Sequence, residues 1–450
     1  MNRKYSIVIP SGAKRIIDTL SAEGHQAYIV GGCVRDSLIG LEPKDWDICT
    51  SATPNVTKKC LSGYRIIETG LKHGTVTVVC DDGQYEVTTF RIDGNYSDNR
   101  RPDRVQFVDD INVDLSRRDF TMNAIAYNEE LGLIDPFNGV ENIQDRRISC
   151  VGNPNDRFKE DGLRILRALR FSAVYGFDID YYTALSIHKN VELLKNISVE
   201  RINAELCKIL SGEHVLKILL DYPDVITYII PELKRCVGFN QNNKYHKYDV
   251  YEHTAHAVSN YIGNDVCVNV ALLLHDSGKP GCYSENETGG HFYQHGYLSA
   301  KISESVVKRL RFDKQSQRDI IELVMFHDAV MEPNIKTARK WLNKVGEQQL
   351  RRLLDIRLAD ILAQSEYTLE ERVNRRNKML EFVNLAIEEK QCFSLKDLAI
   401  NGNDVIKFGF KEGREVGEVL NYVLNAVIEG FVVNEKEALV GLINDYKSEF

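Results

Sequence analysis

Two aspartates separated by a single residue, Asp45 and Asp47, are the side chains of this sequence best suited to phosphoryl-transfer chemistry. We predict that they lie on a β-strand, because the segment WDICT is short, partly β-branched and preceded by turn-forming residues. Side chains two positions apart on a strand point to the same face, so both carboxylates can reach one cluster of metal ions. Carboxylate oxygens are ligands that Mg²⁺ prefers, and a pair of such ions can activate an attacking hydroxyl group and stabilise a departing pyrophosphate.

A nucleoside triphosphate could bind beside this pair. The preceding segment AYIVGGCVRD predicts a strand, a turn at Gly31 and Gly32, and a short helix that carries Arg35. The glycines let backbone N–H groups approach phosphate oxygens, and the helix offers its positive N-terminal end. Glu86, in the later strand YEVTTF, is a candidate third carboxylate. An isolated D-x-D pair is common on solvated turns, so it is the surrounding context that favours a catalytic role.

The segment RFKEDGLRILRALRF could select a base. We predict one helix on which Glu160, Arg164 and Arg167 share a face, with Asp161 beside Arg164. An aspartate only accepts hydrogen bonds and an arginine only donates them. Cytosine and adenine present an amino donor beside a ring-nitrogen acceptor, whereas uracil and guanine present the reverse order, so the pair could accept CTP and ATP alone. The alternative is a surface helix whose charges pair only with one another.

A second group of metal-binding side chains lies downstream. The apolar stretch VNVALLL is followed by His275 and Asp276, with His253 before it and Asp328 after it. Polar side chains at the end of a buried helix need partners, and a divalent transition metal that activates water against a phosphate ester would supply one. We therefore predict that these four residues are ligands and that His295 could complete the metal shell. A lone His-Asp pair could instead cap a helix.

Two kinds of secondary structure must position these groups. From Gln26 to Arg91 short β-branched runs alternate with helical patches, and after Asp114 the pattern is helical without a convincing long strand. A chain of 450 residues needs more than one packed core. We predict an α+β fold with four regions: a small mixed α/β head over residues 1–150, a helical neck over 151–238, an all-helical metal-binding region over 239–335, and a helical tail over 336–450.

The composition restricts the partners and the compartment. A net charge of −8 argues against nucleic acid, yet basic residues concentrate between Arg100 and Arg170, where they could follow a phosphate backbone. The ten cysteines form no C-x-x-C pair, which is typical of reduced thiols. The N-terminal segment MNRKYSIVIPSGAKRIIDTL has no apolar run suited to a signal or membrane helix. We expect a cytoplasmic protein without a membrane partner; the sequence indicates no oligomeric state.

Six segments between about residues 25 and 210 closely resemble, in order, the motifs of bacterial class II CCA-adding enzymes, which carry a polymerase-beta-type head. They are GGCVRD with KDWDI, TTFRIDGNYSDNRRPD, RRDFTMNAIAYN, DPFNGVENIQDRRI, RFKEDGLRILRALRF and SVERINAEL. The resemblance implies that Asp45 and Asp47, with Glu86, bind the catalytic Mg²⁺. It also implies that the nucleotide pocket contains Arg118, Asp119 and Asn123. By the same resemblance, Asp161 and Arg164 read the base, and Arg167 lies near the phosphates. It also implies that the neck and tail bind the tRNA acceptor arm and that the head joins CTP and ATP to it, with release of pyrophosphate.

The stretch from Arg91 to Pro102 resembles the flexible loop of members that add the whole CCA, which is shortened in relatives that add only CC. Bacterial poly(A) polymerases share the head motifs. A poly(A) polymerase, or an enzyme that adds only CC or only A, is therefore the first alternative.

The order His253, His275 with Asp276, then Asp328 resembles the HD superfamily of metal-dependent phosphohydrolases. Some bacterial CCA enzymes carry such a domain behind the head. The resemblance implies a divalent metal in this region and an accessory phosphohydrolase activity. It leaves open an alternative of another class, an HD phosphodiesterase whose head only binds RNA.

Overall fold

The computed structural model of the protein describes residues 5–94, 105–287 and 289–449. The chain forms two compact units that divide between Pro231 and Glu232. The first unit combines a β-sheet with helices, and the second consists almost entirely of helices, so the predicted α+β class is confirmed. Of the loop predicted from Arg91 to Pro102, residues 95–102 lie outside the described residues.

The centre of the first unit is a seven-stranded sheet. The strands of this unit are β1 (Ala27–Val30), β2 (Asp47–Thr50), β3 (Arg65–Ile67), β4 (Thr75–Cys80), β5 (Gly83–Thr89), β6 (Arg91–Asp93), β7 (Val105–Phe107), β8 (Ala126–Asn128), β9 (Gly132–Ile134), β10 (Arg147–Ile148) and β11 (Asp178–Ile179). The sheet has the order β3-β4-β5-β2-β1-β8-β9, in which β2 and β5 run parallel and the other neighbours are antiparallel. Strands β6 and β7 form a separate antiparallel pair, and β10 and β11 a parallel pair. The sequence pattern missed β8 and β9, because three residues are too few to show a period of two.

Helices surround this sheet and continue beyond it. They are α1 (Ser11–Ala22), α2 (Gly32–Ile39), α3 (Pro54–Cys60), α4 (Ile111–Ser116), α5 (Gly139–Gln144), α6 (Pro154–Glu160), α7 (Leu163–Tyr175), α8 (Tyr181–Asn190), α9 (Val199–Leu210), α10 (Val215–Asp221) and α11 (Pro223–Ile229). Helix α7 forms because its apolar residues recur at helical spacing, and it packs against α9. One apolar cluster beneath β1 and β2 contains Tyr28, Phe90 and Leu115, all buried, and it fixes the sheet against α4.

The helix predicted through RFKEDGLRILRALRF is two helices in the structure. Helix α6 ends at Glu160, and Asp161 has the extended backbone angles φ −140° and ψ 105°. The Asp161 carboxylate accepts a hydrogen bond from the Leu163 N–H at 3.0 Å, which caps the next helix. Gly162 lies against Leu193, whose carbonyl oxygen would be 3.0 Å from an added Cβ. The break therefore places Asp161 and Arg164 on either side of a bend and not on one helical face.

The second unit is a helical assembly with one β-hairpin. Its helices are α12 (Val250–Asn260), α13 (Val266–Leu274), α14 (His295–Arg309), α15 (Lys314–Phe326), α16 (Ile335–Val345), α17 (Glu347–Ala363), α18 (Leu369–Glu388), α19 (Gly402–Lys407), α20 (Arg414–Glu429) and α21 (Lys436–Glu449). Helix α13 is buried from Cys267 to Leu274 because α12, α15 and α17 pack around it. The hairpin of β12 (Tyr283–Asn286) and β13 (Gly289–Phe292) interrupts the region that was predicted to be all helical. No helix in residues 5–94, 105–287 and 289–449 has the length and apolar character needed to cross a bilayer.

Candidate functional site

Three acidic side chains meet where β2 and β5 run side by side. Asp47, the first residue of β2, is the register partner of Glu86 in β5, and Asp45 lies two residues before the strand. All three are exposed, whereas Ile48 directly after Asp47 is buried in the sheet. Partial burial and then the charge of Glu86 raise the pKa of the Asp47 carboxyl, and Asp45 acts in the same direction. Within the described residues, the side-chain groups whose donor atoms already lie close enough together to hold one ion are both in the second unit, so the three carboxylates of the head are neighbours that are not gathered around one point.

The glycine turn lies directly beside an arginine. Gly31 has φ +80° and precedes α2, and its N–H donates to the Ile125 carbonyl at 3.1 Å. A Cβ at this position would lie 2.9 Å from Nη1 of Arg118, so only glycine permits the approach. At Gly32 an added Cβ would make only ordinary contact, at 3.7 Å from Arg35. Arg118 also donates from Nη2 to Asp114 at 3.3 Å. Its charge partly offsets the rise in the pKa of Asp47 that burial and Glu86 cause.

A buried chain of hydrogen bonds connects four of the predicted pocket residues. Arg35 donates from Nη1 to Oδ1 of Asn123 at 2.6 Å, and Asn123 donates from Nδ2 to Oδ1 of Asp119 at 3.0 Å. Arg167 donates from Nε to Oδ2 of Asp119 at 2.7 Å. Burial opposes ionisation of Asp119, but the Arg167 charge and the Asn123 hydrogen bond outweigh it and hold the pKa well below its ordinary value. The structure therefore brings these four side chains together as one network.

Aromatic rings fix one end of this network. The Arg35 guanidinium carbon lies 5.1 Å from the Phe171 ring centroid and 4.9 Å from that of Tyr175. The Tyr175 hydroxyl donates to Oδ1 of Asp36 at 3.0 Å, and Arg35 pairs with the same carboxylate through Nε at 2.9 Å. Sequence reasoning did not single out either ring, although Phe171 is the last residue of the segment RFKEDGLRILRALRF and Tyr175 follows soon after it.

The two residues expected to read the base are held by different partners. Arg201 of α9 donates from Nη2 to Oδ2 of Asp161 at 2.8 Å. Arg164 is buried, donates to the carbonyls of Arg157 and Arg117 at 3.1 and 3.0 Å, and pairs with Glu160. Asp161 and Arg164 are neighbours across the bend, but each is oriented by contacts outside the pair. Arg201 was missed as a separate contributor, although it lies in the segment SVERINAEL that the family resemblance singles out.

In the second unit, histidines from two helices converge on two aspartates. His253 of α12 has its Nε2 2.9 Å from Oδ1 of Asp360 and 3.3 Å from Oδ2 of Asp276. His275, directly after α13, has its Nε2 3.2 Å from Oδ2 of Asp276 and 3.7 Å from Oδ1 of Asp360. These donor atoms lie close enough together for His253, His275 and Asp360 to hold one metal ion. Nε2 of both histidines is buried and faces only carboxylate oxygens of this group, and Lys279 Nζ lies 2.7 Å from Oδ2 of Asp276. Two imidazole nitrogens and a carboxylate oxygen are a ligand set that suits a divalent transition metal.

The charges of this group depend on one another. Burial lowers the pKa of His275, but Asp276 and Asp360 outweigh it and raise the pKa to about 10. Burial opposes ionisation of Asp276, yet His275 and Lys279 hold its pKa well below the ordinary value. The protonated imidazole of His275 is thus a positive partner for the carboxylates of Asp276 and Asp360. A metal ion bound to His275 could take the place of that proton.

Asp360 occupies the position that the sequence hypothesis gave to Asp328. Asp328 lines a cavity whose wall also includes Asp276 and Asp360, and burial raises the pKa of its carboxyl. Asp360 lies in the last turn of α17, within RLADILAQ, next to the buried residues Ala359 and Ile361. A carboxylate on the buried face of an apolar helix is the signal that could have identified it.

Three family profiles match parts of the chain. The one described as "Poly A polymerase head domain" matches residues 27–149. The one described as "Probable RNA and SrmB- binding site of polymerase A" matches residues 176–236, and a tRNA nucleotidyltransferase domain 2 profile matches residues 292–443.

Known proteins similar to this chain are CCA-adding enzymes. The chain is 33% identical over 433 residues to a CCA-adding enzyme of Bacillus cereus, with 95% of this chain and 96% of that protein covered. Its structure is similar to that of the Bacillus stearothermophilus CCA-adding enzyme in complex with CTP, with a TM-score of 0.71, 28% identity and 97% of both chains covered. The Thermotoga maritima CCA-adding enzyme complexed with tRNA_CCA shares the fold, with a TM-score of 0.62, 20% identity, and 98% and 96% of the two chains covered. With 33% identity along 95% of its length, this chain belongs to the CCA-adding enzyme family of nucleotidyltransferases.

Proposed function

We propose that this protein builds or repairs the 3′-terminal CCA of tRNA, adding C, C and A from CTP and ATP without a nucleic-acid template. The observation that carries the proposal is the placement of Asp45, Asp47 and Glu86 at one edge of the sheet, beside the turn at Gly31 and the start of α2. The family supports the same reaction, since CCA-adding relatives match the chain almost from end to end.

In the proposed reaction, the tRNA 3′-hydroxyl oxygen bonds to the α-phosphorus of the nucleotide, and the bond from that phosphorus to the bridging oxygen breaks so that pyrophosphate leaves. Asp45 and Asp47, with Glu86 as the third carboxylate, would hold Mg²⁺, which when bound offsets the charge of the triphosphate. The backbone N–H groups at the start of α2 face the space for phosphate oxygens. Arg118 supplies a positive charge close to Asp47.

Base selection follows from the donors and acceptors on either side of the bend. Asp161 can only accept, and it would take the amino hydrogen of cytosine or adenine. Arg164 can only donate, and it would bond the ring nitrogen beside that amino group. Uracil and guanine would present a carbonyl oxygen to the Asp161 carboxylate and an N–H to the Arg164 guanidinium, and both contacts are repulsive. Arg167, held by Asp119, would lie near the phosphates.

The tRNA acceptor arm is the proposed RNA partner, held by the helical neck over residues 151–238 and the helical tail over residues 336–450. We infer that the protein recognises the arm by shape and backbone, as proteins generally recognise double-helical RNA. The cytoplasm, where reduced cysteines persist, is the proposed compartment.

The test uses tRNAs that end before CCA, after the first C and after CC, each incubated with one nucleotide at a time. CTP should extend the first two substrates and ATP only the third, and Asp45→Asn with Asp47→Asn should abolish all three reactions. Long A tracts would identify a poly(A) polymerase instead. Unchanged incorporation by the double variant would show that these carboxylates are not catalytic.

We further propose that the second unit hydrolyses a phosphate ester of a nucleotide. The observation that favours this is the buried group of His253, His275 and Asp360, whose donor atoms lie close enough together to hold one ion, with Asp276 beside them. A divalent metal held there would supply a bound water as nucleophile. The water oxygen bonds to phosphorus, the ester P–O bond breaks, and the leaving oxygen takes a proton.

A cavity of about 630 Å³ opens onto this group, which is enough for a nucleotide. Lys244, Tyr245 and Tyr293 line it, and the two tyrosines are 41% and 70% exposed, so a base could stack there while the phosphate reaches Asp276 and Asp360, which also line the cavity. Phosphate release from nucleoside monophosphates and from 2′,3′-cyclic phosphates, with Mn²⁺ added, tests the proposal. His253→Ala should abolish release and leave CCA addition within about twofold; release that persists in this variant rules the site out.

A further inference from the structure

Helix α7 meets the buried hydrogen-bond network of the first unit at two places. Arg167, in the second turn of α7, donates from Nε to Oδ2 of Asp119 at 2.7 Å. Tyr175, the last residue of α7, donates from its hydroxyl to Oδ1 of Asp36 at 3.0 Å. The helix rises about 12 Å between the two residues. One helix therefore holds two separate points of the network.

Asp36 joins Tyr175 to the rest of the network. Its Oδ1 also accepts from Nε of Arg35 at 2.9 Å and lies 2.7 Å from Nη2 of the same guanidinium group. Arg35 donates to Asn123, and Asn123 donates to Asp119. The hydrogen bonds thus run from the last residue of α7 through the head and return to the second turn of the same helix.

The aromatic ring of Tyr175 supports the same arginine. The guanidinium carbon of Arg35 lies 4.9 Å from the centroid of this ring and 5.1 Å from that of Phe171, and the two rings stack with their centroids 6.0 Å apart. Tyr175 therefore contacts Arg35 with its ring and binds the carboxylate partner of Arg35 with its hydroxyl group. A phenylalanine would keep the first contact and lose the second.

The members of this network depend on one another for their orientation. Guanidinium groups and carboxylates alternate along it, so each charge is held by its neighbours. Arg35, Asn123 and Asp119 are buried, so bulk water does not replace a partner that moves away. A carboxylate of Asp36 that is no longer held by Tyr175 should therefore let Arg35 shift, and the residues beyond it with it.

The far end of the network is open to solvent. Nε and Nη2 of Arg167 both pair with Oδ2 of Asp119, and 32% of the Arg167 side chain is exposed. In the proposed reaction Arg167 lies near the phosphates of the nucleotide, and an arginine pairs with phosphate oxygens as it does with carboxylates. The orientation of this guanidinium group therefore affects how firmly a triphosphate is bound.

The residues expected to read the base have other partners. Asp161 accepts from Arg201 at 2.8 Å, and Arg164 donates to the carbonyls of Arg157 and Arg117. These contacts do not pass through Tyr175. A change at the tyrosine should therefore leave the choice of base unaltered.

We propose that Tyr175 is a positioning residue for binding of the triphosphate. Its hydroxyl holds Asp36 and Arg35, and through them the carboxylate that orients Arg167. The inference rests on the proposed addition of CCA, and it adds to that reaction a residue that touches neither the base nor the phosphates.

The experiment compares the full chain with its Tyr175→Phe variant in the addition of CTP and ATP to tRNAs that end before CCA and after CC. Pyrophosphate, which carries no base, is a second probe of the phosphate site and is used as an inhibitor that competes with CTP. We expect KM for CTP, KM for ATP and the inhibition constant of pyrophosphate to rise by one common factor of about three- to tenfold, with kcat within about twofold of wild type. The ratio of kcat/KM for CTP to that for UTP should stay unchanged.

Tyr85→Phe is the matched control. The Tyr85 hydroxyl also hydrogen-bonds with an aspartate, Asp82, but this pair lies against Gly12 of α1. The Tyr85 side chain is buried on the face of β5 opposite to Glu86. Its loss of a hydroxyl should lower the melting temperature and leave all three constants at their wild-type values.

Asp36→Asn tests the same link with the tyrosine intact. The neutral amide holds the Arg35 guanidinium group less firmly than the carboxylate does, while both aromatic rings stay in place. The same three constants should rise together. This variant decides the question if Tyr175→Phe does not fold.

The outcomes separate a positioning role from a structural one. Wild-type values of KM and of the inhibition constant in Tyr175→Phe, even with a lower melting temperature, would show that the tyrosine only stabilises the fold and would overturn the inference. A changed ratio for CTP and UTP would overturn it as well, because the effect would then lie on the base. If the wild-type chain added neither nucleotide to tRNA, both this inference and the proposed function would fail, so the two failures are distinguishable.

Discussion

Arg201 donates a hydrogen bond to Oδ2 of Asp161 at 2.8 Å, and together with the Leu163 N–H, which donates to Oδ1 at 3.0 Å, it orients the carboxylate expected to read the incoming base. Asp161 is in extended backbone between α6 and α7, so helical geometry does not fix its side chain. The Arg201 side chain reaches it from α9, which packs against α7. If Asp161 reads the base as proposed, base choice depends in part on a residue that need not contact the base.

We expect Arg201→Gln to weaken discrimination between CTP and UTP. The carboxylate of Asp161 loses its charged partner and keeps only the hydrogen bond from the Leu163 N–H, so its orientation is less firmly fixed. This should reduce kcat/KM for CTP by about 10- to 100-fold, equivalent to ~1–3 kcal/mol. Single-nucleotide incorporation into tRNA lacking CCA, measured for all four nucleotides, checks this. Arg201→Lys should recover part of the selectivity. Arg147→Gln, at a half-exposed surface position, is the control, and selectivity equal to wild type in Arg201→Gln would contradict the assignment.

Gly31→Ala should damage both stability and catalysis. The residue has φ +80°, and the new Cβ would lie 2.9 Å from Nη1 of Arg118. We expect a loss of about 1–3 kcal/mol in the free energy of unfolding, because a side chain is strained at this backbone conformation. The displaced Arg118 should also lower CTP incorporation. Gly24→Ala is the matched control, because Gly24 has a similar φ of +84° but nothing lies within 4 Å of its added Cβ; equal effects of the two substitutions would show that the Arg118 contact is unimportant.

Asp119→Asn should lower stability in a pH-dependent manner. The folded pKa of Asp119 is depressed by Arg167 and Asn123, so its contribution is complete above the ordinary value of about 3.9 and is lost as pH falls below it. Removing the charge should lower the free energy of unfolding by about 2 kcal/mol at pH 7. The difference in melting temperature from wild type should stay constant from pH 7 to about pH 5 and narrow below about pH 4. Asp18→Asn, at an exposed position on α1, serves as the control. If the difference in melting temperature between wild type and Asp119→Asn became larger in acid, the pKa of Asp119 would be raised by folding and not lowered.

The sequence predicted the groups whose chemistry is local. Asp45, Asp47 and the turn at Gly31 lie within one short segment, and the combination of strand, glycines and paired carboxylates predicts a metal and phosphate site. The partner strand carrying Glu86 was predicted as a strand, but its parallel pairing with β2 depends on contacts between distant segments. Short strands such as β8 also escape detection, because tertiary packing rather than a repeating pattern determines them.

The sequence could not predict how distant residues combine. The break at Asp161 is set by the packing of Gly162 against Leu193, and a helical charge pattern continues through it unchanged. Asp328 follows a histidine and was predicted as a ligand for that reason, whereas Asp360 has no such neighbour. Only the packing of α12 against α17 brings Asp360 to His253.

Asp360 and Asp328 are the two candidates for the carboxylate that binds metal beside His253, the first indicated by the structure and the second predicted from the sequence. Oδ1 of Asp360 lies 2.9 Å from Nε2 of His253, whereas Asp328 lines the wider cavity. We expect Asp360→Asn to remove the ion shared with His253 and to reduce phosphate release by roughly 100-fold or more, because the amide neither neutralises nor chelates the metal as a carboxylate does. Asp328→Asn should retain that ion and lose at most about tenfold.

Both substitutions keep the size of the side chain, so packing is preserved and the two variants are matched controls for each other. Bound Mn²⁺ and phosphate release are measured on the same samples, and CCA addition within about twofold of wild type confirms that the chain is folded. Asp328→Asn that loses the ion while Asp360→Asn keeps it would restore the ligand set predicted from the sequence. Equal loss in both variants would mean that the two carboxylates share one ion, because neither amide could then be tolerated.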